Sequence, residues 1–244
     1  MPGEAGGRHH EGMELDMAIR RRRMVRRYDS QRQVPEASVI AALDRATRAP
    51  SAGFSQGWDF LVLRTSAERS TFWDATTDAA AGGEPDSWLA GLMTAPTLVV
   101  CLSDPEHYLD RYAEADKGWT DRDPTRWPVP YWDVDTGMAA LILLLTAVED
   151  GLGACFFGVP PDRHTAVRDA FAIPENRRLV GVVSLGYAVP HPRSPSLRRG
   201  RRGLVEVTHW GRFGEPGPLA PVSVGEDGGA RGASDPAPAD HPRR

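Results

Sequence analysis

Lysine and cysteine are scarce in this sequence. Of 29 basic residues only Lys117 is a lysine, so arginine carries nearly all of the positive charge. The two cysteines, Cys101 and Cys155, lie in apolar surroundings and form no Cys-x-x-Cys pair, so the zinc-ligand spacing is absent. We therefore predict two buried free thiols, no metal site and a cytoplasmic location, where thiols stay reduced.

A long hydrophobic run is also missing. The longest one, GMAALILLLTAV at 137–148, has 12 residues, whereas a membrane-spanning helix needs about 20. The first dozen residues lack the apolar stretch of a secretory signal. We predict no membrane association, and we interpret the run as a helix buried on all sides in a protein core.

The remaining composition is typical of a globular protein. The 244 residues are 41% hydrophobic and 25% charged, and the net charge of −4 argues against a surface devoted to nucleic acid. Residues 1–12 and 214–244 are rich in Gly, Pro and Ala without periodicity, so we predict two disordered tails. The folded part is then one domain at 13–213.

Hydrophobic periodicity predicts helices and strands that alternate without a regular βαβ order. The predicted helices lie at 15–27, 36–49, 67–81, 133–150 and 162–171. The predicted strands lie at 58–63, 97–102, 154–157 and 179–187. The segment 104–130, rich in Trp, Tyr and Pro, is predicted to be irregular. This order favours an α+β fold, a sheet layered with helices.

Three short motifs suggest chemistry but stand in the wrong context. Gly53-Phe54-Ser55-Gln56-Gly57 matches G-x-S-x-G, yet a hydrolase serine needs a strand before it and a helix after it. Here the predicted order is reversed, as it is for Gly151-x-Gly153, which we interpret as the end of a helix. Asp133-x-Asp135 opens a predicted helix, where acids meet the positive helix end, and this is favoured over a metal pair.

The arginines are clumped. Six lie between Arg20 and Arg27, and five lie between Arg193 and Arg202. A nucleic-acid patch, a phosphate site and a solvated basic face all remain open from composition alone.

Five segments, taken together, resemble the flavin-dependent nitroreductase family. They are Arg22-Arg23-Met24-Val25-Arg26-Arg27-Tyr28 followed by Val34-Pro35; Ala49-Pro50-Ser51-Ala52-Gly53-Phe54-Ser55-Gln56-Gly57-Trp58; Gly151-Leu152-Gly153-Ala154-Cys155-Phe156-Phe157-Gly158; Ile173-Pro174-Glu175 with Gly186-Tyr187; and the basic segment 198–206. The resemblance covers residues 15–213, in the order and spacing of the family.

The resemblance implies an FMN enzyme that works as a homodimer, with a central mixed or antiparallel sheet layered with helices and one long buried helix. It implies a phosphate and ribityl site formed by Arg22, Arg23, Met24, Arg26, Arg199 and Arg201. It implies an isoalloxazine site lined by Pro50, Ser51, Ala52 and Phe54 of the partner subunit and by Phe156, Phe157 and Gly158. No catalytic side chain is assigned, because the hydride chemistry belongs to the flavin.

Three residues depart from the family pattern. Met24 replaces a serine, Phe54 replaces an asparagine in many members, and Gly57 replaces a proline. The Gly53-Phe54 pair is similar to the related enzyme that fragments flavin to 5,6-dimethylbenzimidazole.

The resemblance favours an FMN-dependent oxidoreductase that passes hydride from NADH, NADPH or a deazaflavin to a nitroaromatic, quinone or enone. The alternatives are flavin fragmentation and a non-catalytic protein that sequesters FMN. Trp127, Tyr131 and Trp132 are candidates for a lid over the substrate, and the alternative for them is ordinary packing at a dimer interface.

Overall fold

A computed structural model of the protein describes residues 13–77, 85–192 and 194–218. The chain divides into two units, Met1–Pro192 and Arg193–Arg244, which we describe separately. The predicted tail at 1–12 lies outside the described residues, as does nearly all of the predicted tail at 214–244. Both tails therefore stay predictions.

The first unit is built on one antiparallel sheet of four strands within its described residues. The strands are β1 (Trp58–Leu63), β2 (Thr97–Ser103), β3 (Gly153–Phe157) and β4 (Arg178–Gly186), in the spatial order β1-β2-β4-β3. The two central strands are the most apolar runs of the group, and every residue of β2 is buried. The predicted α+β class is confirmed, and each predicted strand lies within one residue of an observed one at either end.

Helices cover both faces of this sheet. In chain order they are α1 (Leu15–Arg21), α2 (Glu36–Ala46), α3 (Ser66–Thr76), α4 (Ser87–Leu92), α5 (Pro105–Ala113), α6 (Tyr131–Glu149) and α7 (His164–Phe171). Side chains alternate along β2, so Val99 and Cys101 enter a core with α2 and α6. Leu98 and Val100 enter a second core with α3, α4 and α7.

Three predicted helices in the first half of the chain were wrong in extent. The first helix ends at Arg21 rather than at residue 27, because the following residues pair with the edge of β3. The helix predicted at 36–49 ends at Ala46, and the helix predicted at 67–81 ends at Thr76, where residues 78–84 lie outside the described part of the chain. Tertiary pairing, which single-chain periodicity does not report, overrides local helix propensity in the first case.

The prediction that the segment 104–130 is irregular was wrong in part, because the segment contains α5. Asp104 caps this helix by accepting a hydrogen bond from the Glu106 N–H at 3.0 Å, and Pro105 occupies its first turn. This Asp-Pro start is a sequence signal of a helix N-terminus that the Trp- and Pro-rich composition obscured. The short helix α4 was missed as well.

The prediction that the long helix α6 is buried on all sides was wrong. Ala139 and Leu143 are fully buried against the sheet, whereas Val134, Met138 and Leu141 are exposed on the opposite face. By length and composition α6 is the one described helix that could cross a membrane, and half of its most apolar window is buried inside the protein. Its contacts with α2 and all four strands assign it to the core of a layered fold.

The second unit contains a 3-10 turn at Pro195–Arg199 and a single-turn helix, α8 (Leu204–Val207). Its large apolar side chains are exposed within the described part, among them Leu197, Trp210 and Phe213.

Candidate functional site

The arginine-rich segment after α1 runs along the outer edge of β3. The Val25 N–H donates to the Ala154 carbonyl oxygen at 2.8 Å, and Met24 forms an isolated parallel bridge with Ala154. Two glycines allow this close approach. A Cβ on Gly91 would lie 2.2 Å from the Arg26 carbonyl oxygen, and one on Gly153 would lie 2.8 Å from the Val25 side chain. The segment is therefore held in place by its backbone, which leaves the arginine side chains available.

Arg22 and Arg26 each bury a nitrogen that has no hydrogen-bond partner among the described residues. These atoms are Nη1 of Arg22 and Nε of Arg26. Both guanidinium charges act on the Cys155 thiol, and the Arg26 side chain also forms a hydrogen bond with it. Arg23, which follows Arg22, is exposed. Buried donors without acceptors are costly, and two of them on arginines near the same thiol match an anion such as phosphate.

Cys155 and Cys101 are free and buried, as predicted. Burial raises the pKa of the Cys155 thiol, and the nearby Arg26 and Arg22 oppose that rise. Burial alone raises the pKa of Cys101 to about 12. Neither sulfur is therefore a thiolate nucleophile at neutral pH.

Met24 and the end of β3 form one contact set. The Phe156 N–H donates to the Met24 Sδ at 3.5 Å. The Phe156 ring lies over Gly181, whose Cβ would otherwise sit 2.3 Å from it. The Phe157 ring stacks on Trp73 in the second core, with 5.8 Å between the ring centroids. Because the ring is turned into that core, only the backbone of Phe157 could contact a ligand at the β3 edge. Gly158 is exposed and follows directly.

The loop at 50–57 precedes β1, at the other edge of the sheet. Gly53, Phe54 and Gln56 all have φ between 54° and 62°, in the left-handed region. Such values are uncommon for non-glycine residues, and they cluster at functional positions. Pro50 and Phe54 are exposed, with 73% of Phe54 accessible, whereas Ser51 and Ala52 are half-buried.

The sequence analysis missed the residues that hold this loop. Asp135 on α6 accepts hydrogen bonds from the Ala52 N–H and from the Tyr108 hydroxyl, both at 2.8 Å. The Arg111 Nε donates to the Gly53 carbonyl oxygen at 2.9 Å. Asp135 was interpreted as a helix-opening acid, with a metal pair as the alternative, and Tyr108 and Arg111 lie in the helix that was not predicted.

Asp133 and Ser55 take structural contacts. Asp133 accepts a hydrogen bond from Ser103 and pairs with Arg178, and the described residues contain no cluster of three metal-ligating side chains. Ser55 donates to the Ala52 carbonyl oxygen at 2.7 Å, inside the loop before β1. The G-x-S-x-G segment thus lacks the strand–turn–helix context of a hydrolase nucleophile.

The lid candidates belong to an aromatic cluster. Trp127 packs against five other rings, with its closest centroid, that of Tyr112, at 4.6 Å. Trp132 is buried beside Tyr108, and Tyr131 is exposed. Of the three, Tyr131 is the most accessible in the first unit.

Arg199 and Arg201 lie in the second unit, and both are exposed. Arg199 ends the 3-10 turn, and Arg201 lies in the extended segment before α8. Arg193 lies outside the described residues.

Comparisons with known proteins agree on one family. The profile of the Nitroreductase family matches residues 19–187. A protein of Archaeoglobus fulgidus, provisionally named NADH dehydrogenase/NAD(P)H nitroreductase, is 32% identical over 68% of this chain and 80% of its own. A 4-nitrobenzoate reductase of a Nocardioides species is 29% identical over 73% of this chain and 82% of its own.

Solved structures of the same fold are also similar. A nitroreductase from Desulfovibrio desulfuricans, crystallised in complex with FMN, superposes with a TM-score of 0.60 at 22% identity and covers 84% of this chain and 99% of its own. The chain belongs to the nitroreductase family. This membership confirms the predicted class, an oxidoreductase of the nitroreductase type with FMN as the cofactor of its family.

Proposed function

We propose that this protein is an FMN-dependent oxidoreductase that transfers hydride from NADH or NADPH to a nitroaromatic, quinone or enone acceptor. The observation that carries the proposal is the pair of buried, unpartnered nitrogens on Arg22 and Arg26, which fit a phosphate group. The similar 4-nitrobenzoate reductase and NAD(P)H nitroreductase support the acceptor and donor classes.

In this proposal the chain binds and orients, and it supplies no acid–base pair. FMN, when bound, supplies hydride transfer at its N5 position. Arg22 and Arg26 hold the phosphate by charge-assisted hydrogen bonds, and the Phe156–Gly158 backbone and the 50–54 loop line the ring. Arg23, Arg199 and Arg201 stay predicted phosphate or ribityl ligands. The Met24 Sδ accepts a hydrogen bond from the Phe156 N–H, and this contact fixes that end of β3.

We also propose a homodimer whose cofactor sites are shared. Within the first unit the arginine segment lies on the outer side of β3 and the 50–57 loop lies before β1, and β4 and β2 lie between those two strands. At about 4.8 Å per strand spacing β1 and β3 are about 14 Å apart, and the arginine segment is farther out. A second copy can bring its own loop to the arginine segment of the first. The exposed apolar face of α6 at Val134, Met138 and Leu141 supports this arrangement.

The exposed Tyr131 is the lid candidate that we retain for flat aromatic acceptors. Trp127 and Trp132 support it from the cluster beneath. A cytoplasmic location completes the proposal, and the two buried reduced thiols support it.

One experiment separates this function from its alternatives. Protein loaded with FMN is mixed anaerobically with NADH, NADPH or a reduced deazaflavin, and 4-nitrobenzoate or a quinone is then added. We expect the flavin absorbance to bleach with a nicotinamide and to return as the acceptor is consumed. Reduction without turnover would indicate an FMN store. Loss of the flavin in air, with a benzimidazole product, would indicate fragmentation, and a protein that binds no FMN contradicts all three.

A further inference from the structure

Asp135 is a buried carboxyl group that the proposed hydride transfer does not use. It lies in the first half of α6 with 3% of its surface accessible. One of its oxygens, Oδ2, accepts both the Ala52 N–H and the Tyr108 O–H at 2.8 Å. A buried carboxylate is costly unless donors satisfy it, so its retention in a core helix calls for a role.

The group that Asp135 holds is a strained loop. Gly53, Phe54 and Gln56 each have a left-handed φ, and such backbone persists only where its surroundings fix it. The Tyr112 ring leaves no room for a side chain at Gly53, where a Cβ would come within 2.7 Å. Together with the Arg111 contact, α5 and α6 hold the loop from beneath.

Tyr108 connects the two helices through the same oxygen. It is fully buried, and burial, together with the hydrogen bond to Asp135, raises the pKa of its hydroxyl above the ordinary value. The hydroxyl therefore stays protonated at any physiological pH and donates its hydrogen bond to Asp135. Its ring also lies against Gly57, where a Cβ would come within 2.6 Å, so Tyr108 contacts one end of the loop directly and reaches Ala52 at the other end through Asp135.

Asp133, one residue before Val134 on the same helix, provides the contrast. It has a counter-ion in Arg178 and contacts β2 through Ser103. Asp135, by comparison, accepts its hydrogen bonds from Ala52 in the loop and from Tyr108 on α5, the helix beneath the loop. One acid therefore joins α6 to the sheet, and the other joins α6 to the loop.

We propose that Asp135 is a positioning residue, which holds the 51–57 loop in the conformation that lines the flavin by accepting the Ala52 and Tyr108 hydrogens on one oxygen. The inference rests on the proposed function, in which this loop contacts the cofactor. Misplacing a group that contacts the reacting ring by about 1 Å can cost about 100-fold in rate. Removing the Asp135 carboxyl group should therefore lower kcat/KM at saturating FMN and not only lower stability.

The test compares Asp135→Ala, Asp135→Asn and the matched control Asp133→Ala in the full chain. The first readout is chymotrypsin cleavage after the exposed Phe54 in protein without FMN. The second is kcat and KM with NADPH and 4-nitrobenzoate at saturating FMN, and Tm is recorded for each variant. We expect Asp135→Ala to raise cleavage and lower kcat/KM, each by about tenfold or more. Asp135→Asn, which keeps an acceptor oxygen, restores most of both.

Asp133→Ala is expected to lower Tm while leaving both readouts within about twofold of the wild type, since Asp133 contacts the sheet and not the 51–57 loop. Unchanged cleavage and kcat/KM in Asp135→Ala, or equal losses in Asp133→Ala, would overturn the proposal. If Asp135→Ala does not fold, Tyr108→Phe removes one of the two donors and must shift both readouts in the same direction. A wild-type protein that binds no FMN defeats the proposed function and the flavin role of the loop, whereas the cleavage rates still decide whether Asp135 holds it.

Discussion

The two edges of the sheet carry the candidate site in opposite ways. At the β3 edge, Arg22 and Arg26 keep buried nitrogens without acceptors. At the β1 edge, Asp135 accepts the Ala52 N–H and Arg111 donates to the Gly53 carbonyl oxygen. The unmatched arginine donors fit an anion that is to be bound, and the matched contacts of the loop fix its shape. The first edge should respond to mutation in affinity, and the second in geometry.

Leu141→Glu is expected to have the largest effect, because in the proposed dimer the exposed face of α6 brings the β1 edge of one copy to the β3 edge of the other. A charge on the exposed face of α6 disfavours the dimer through its burial cost, so the protein becomes monomeric and FMN retention falls with it. Light scattering after size-exclusion chromatography measures the mass, and flavin absorbance measures the retention. Met93→Glu, at an exposed apolar residue after α4, is the control and should stay dimeric. A dimeric Leu141→Glu protein would contradict the shared site.

Arg22→Ala and Arg26→Ala test the edge with unmatched donors. A hydrogen bond to a charged group contributes about 1.5–3 kcal/mol, so each change should weaken FMN binding by about 10- to 100-fold. Tm without FMN should fall little, since each change removes a buried donor that lacks a partner, and only Arg26→Ala also removes a hydrogen bond to Cys155. Fluorescence quenching of FMN measures the affinity. Arg21→Ala, at an exposed position of the same clump, is the matched control, and an equal loss there would contradict the assignment.

Arg201→Ala tests the second unit separately by the same titration. The family pattern predicts a loss of FMN affinity of the same order as that of Arg22→Ala, because a charge-assisted contact is removed in both. An unchanged affinity would restrict the phosphate site to the first unit.

Gly91→Ala and Gly137→Ala change stability with opposite signs, and Gly137→Ala has the smallest expected effect of all. At Gly91 the added Cβ meets the Arg26 carbonyl oxygen, so we expect a loss of about 1–3 kcal/mol in the free energy of unfolding. At Gly137, in the open on α6, we expect a gain of about 0.5–1 kcal/mol from helix propensity. Urea unfolding of the protein without FMN measures both. If Gly91→Ala is neutral, the arginine segment is not held as closely as described.

Periodicity and turn residues were sufficient for the strands, because each strand is a short apolar run bounded by Gly, Pro or polar residues. They were insufficient for residues 22–27, whose extended form depends on an edge of β3 more than a hundred residues later. They also missed α5, and with it Tyr108 and Arg111. The arginines could be proposed as phosphate ligands from the sequence, because a guanidinium group binds phosphate by itself. Asp135 could not, because its partners are a backbone N–H and a tyrosine distant in sequence.

The scarcity of lysine has a practical consequence through one contact. The Lys117 Nζ lies 5.3 Å from the centre of the Tyr112 ring, and that ring is the surface against which Gly53 packs. An amine-reactive fluorophore has one side-chain target in this chain, and that target is two contacts away from the 51–57 loop. Because an α-amine reacts at lower pH than a lysine amine, blocking the terminal amine near neutral pH and then labelling at higher pH would make Lys117 an optical reporter of the surroundings of the 51–57 loop.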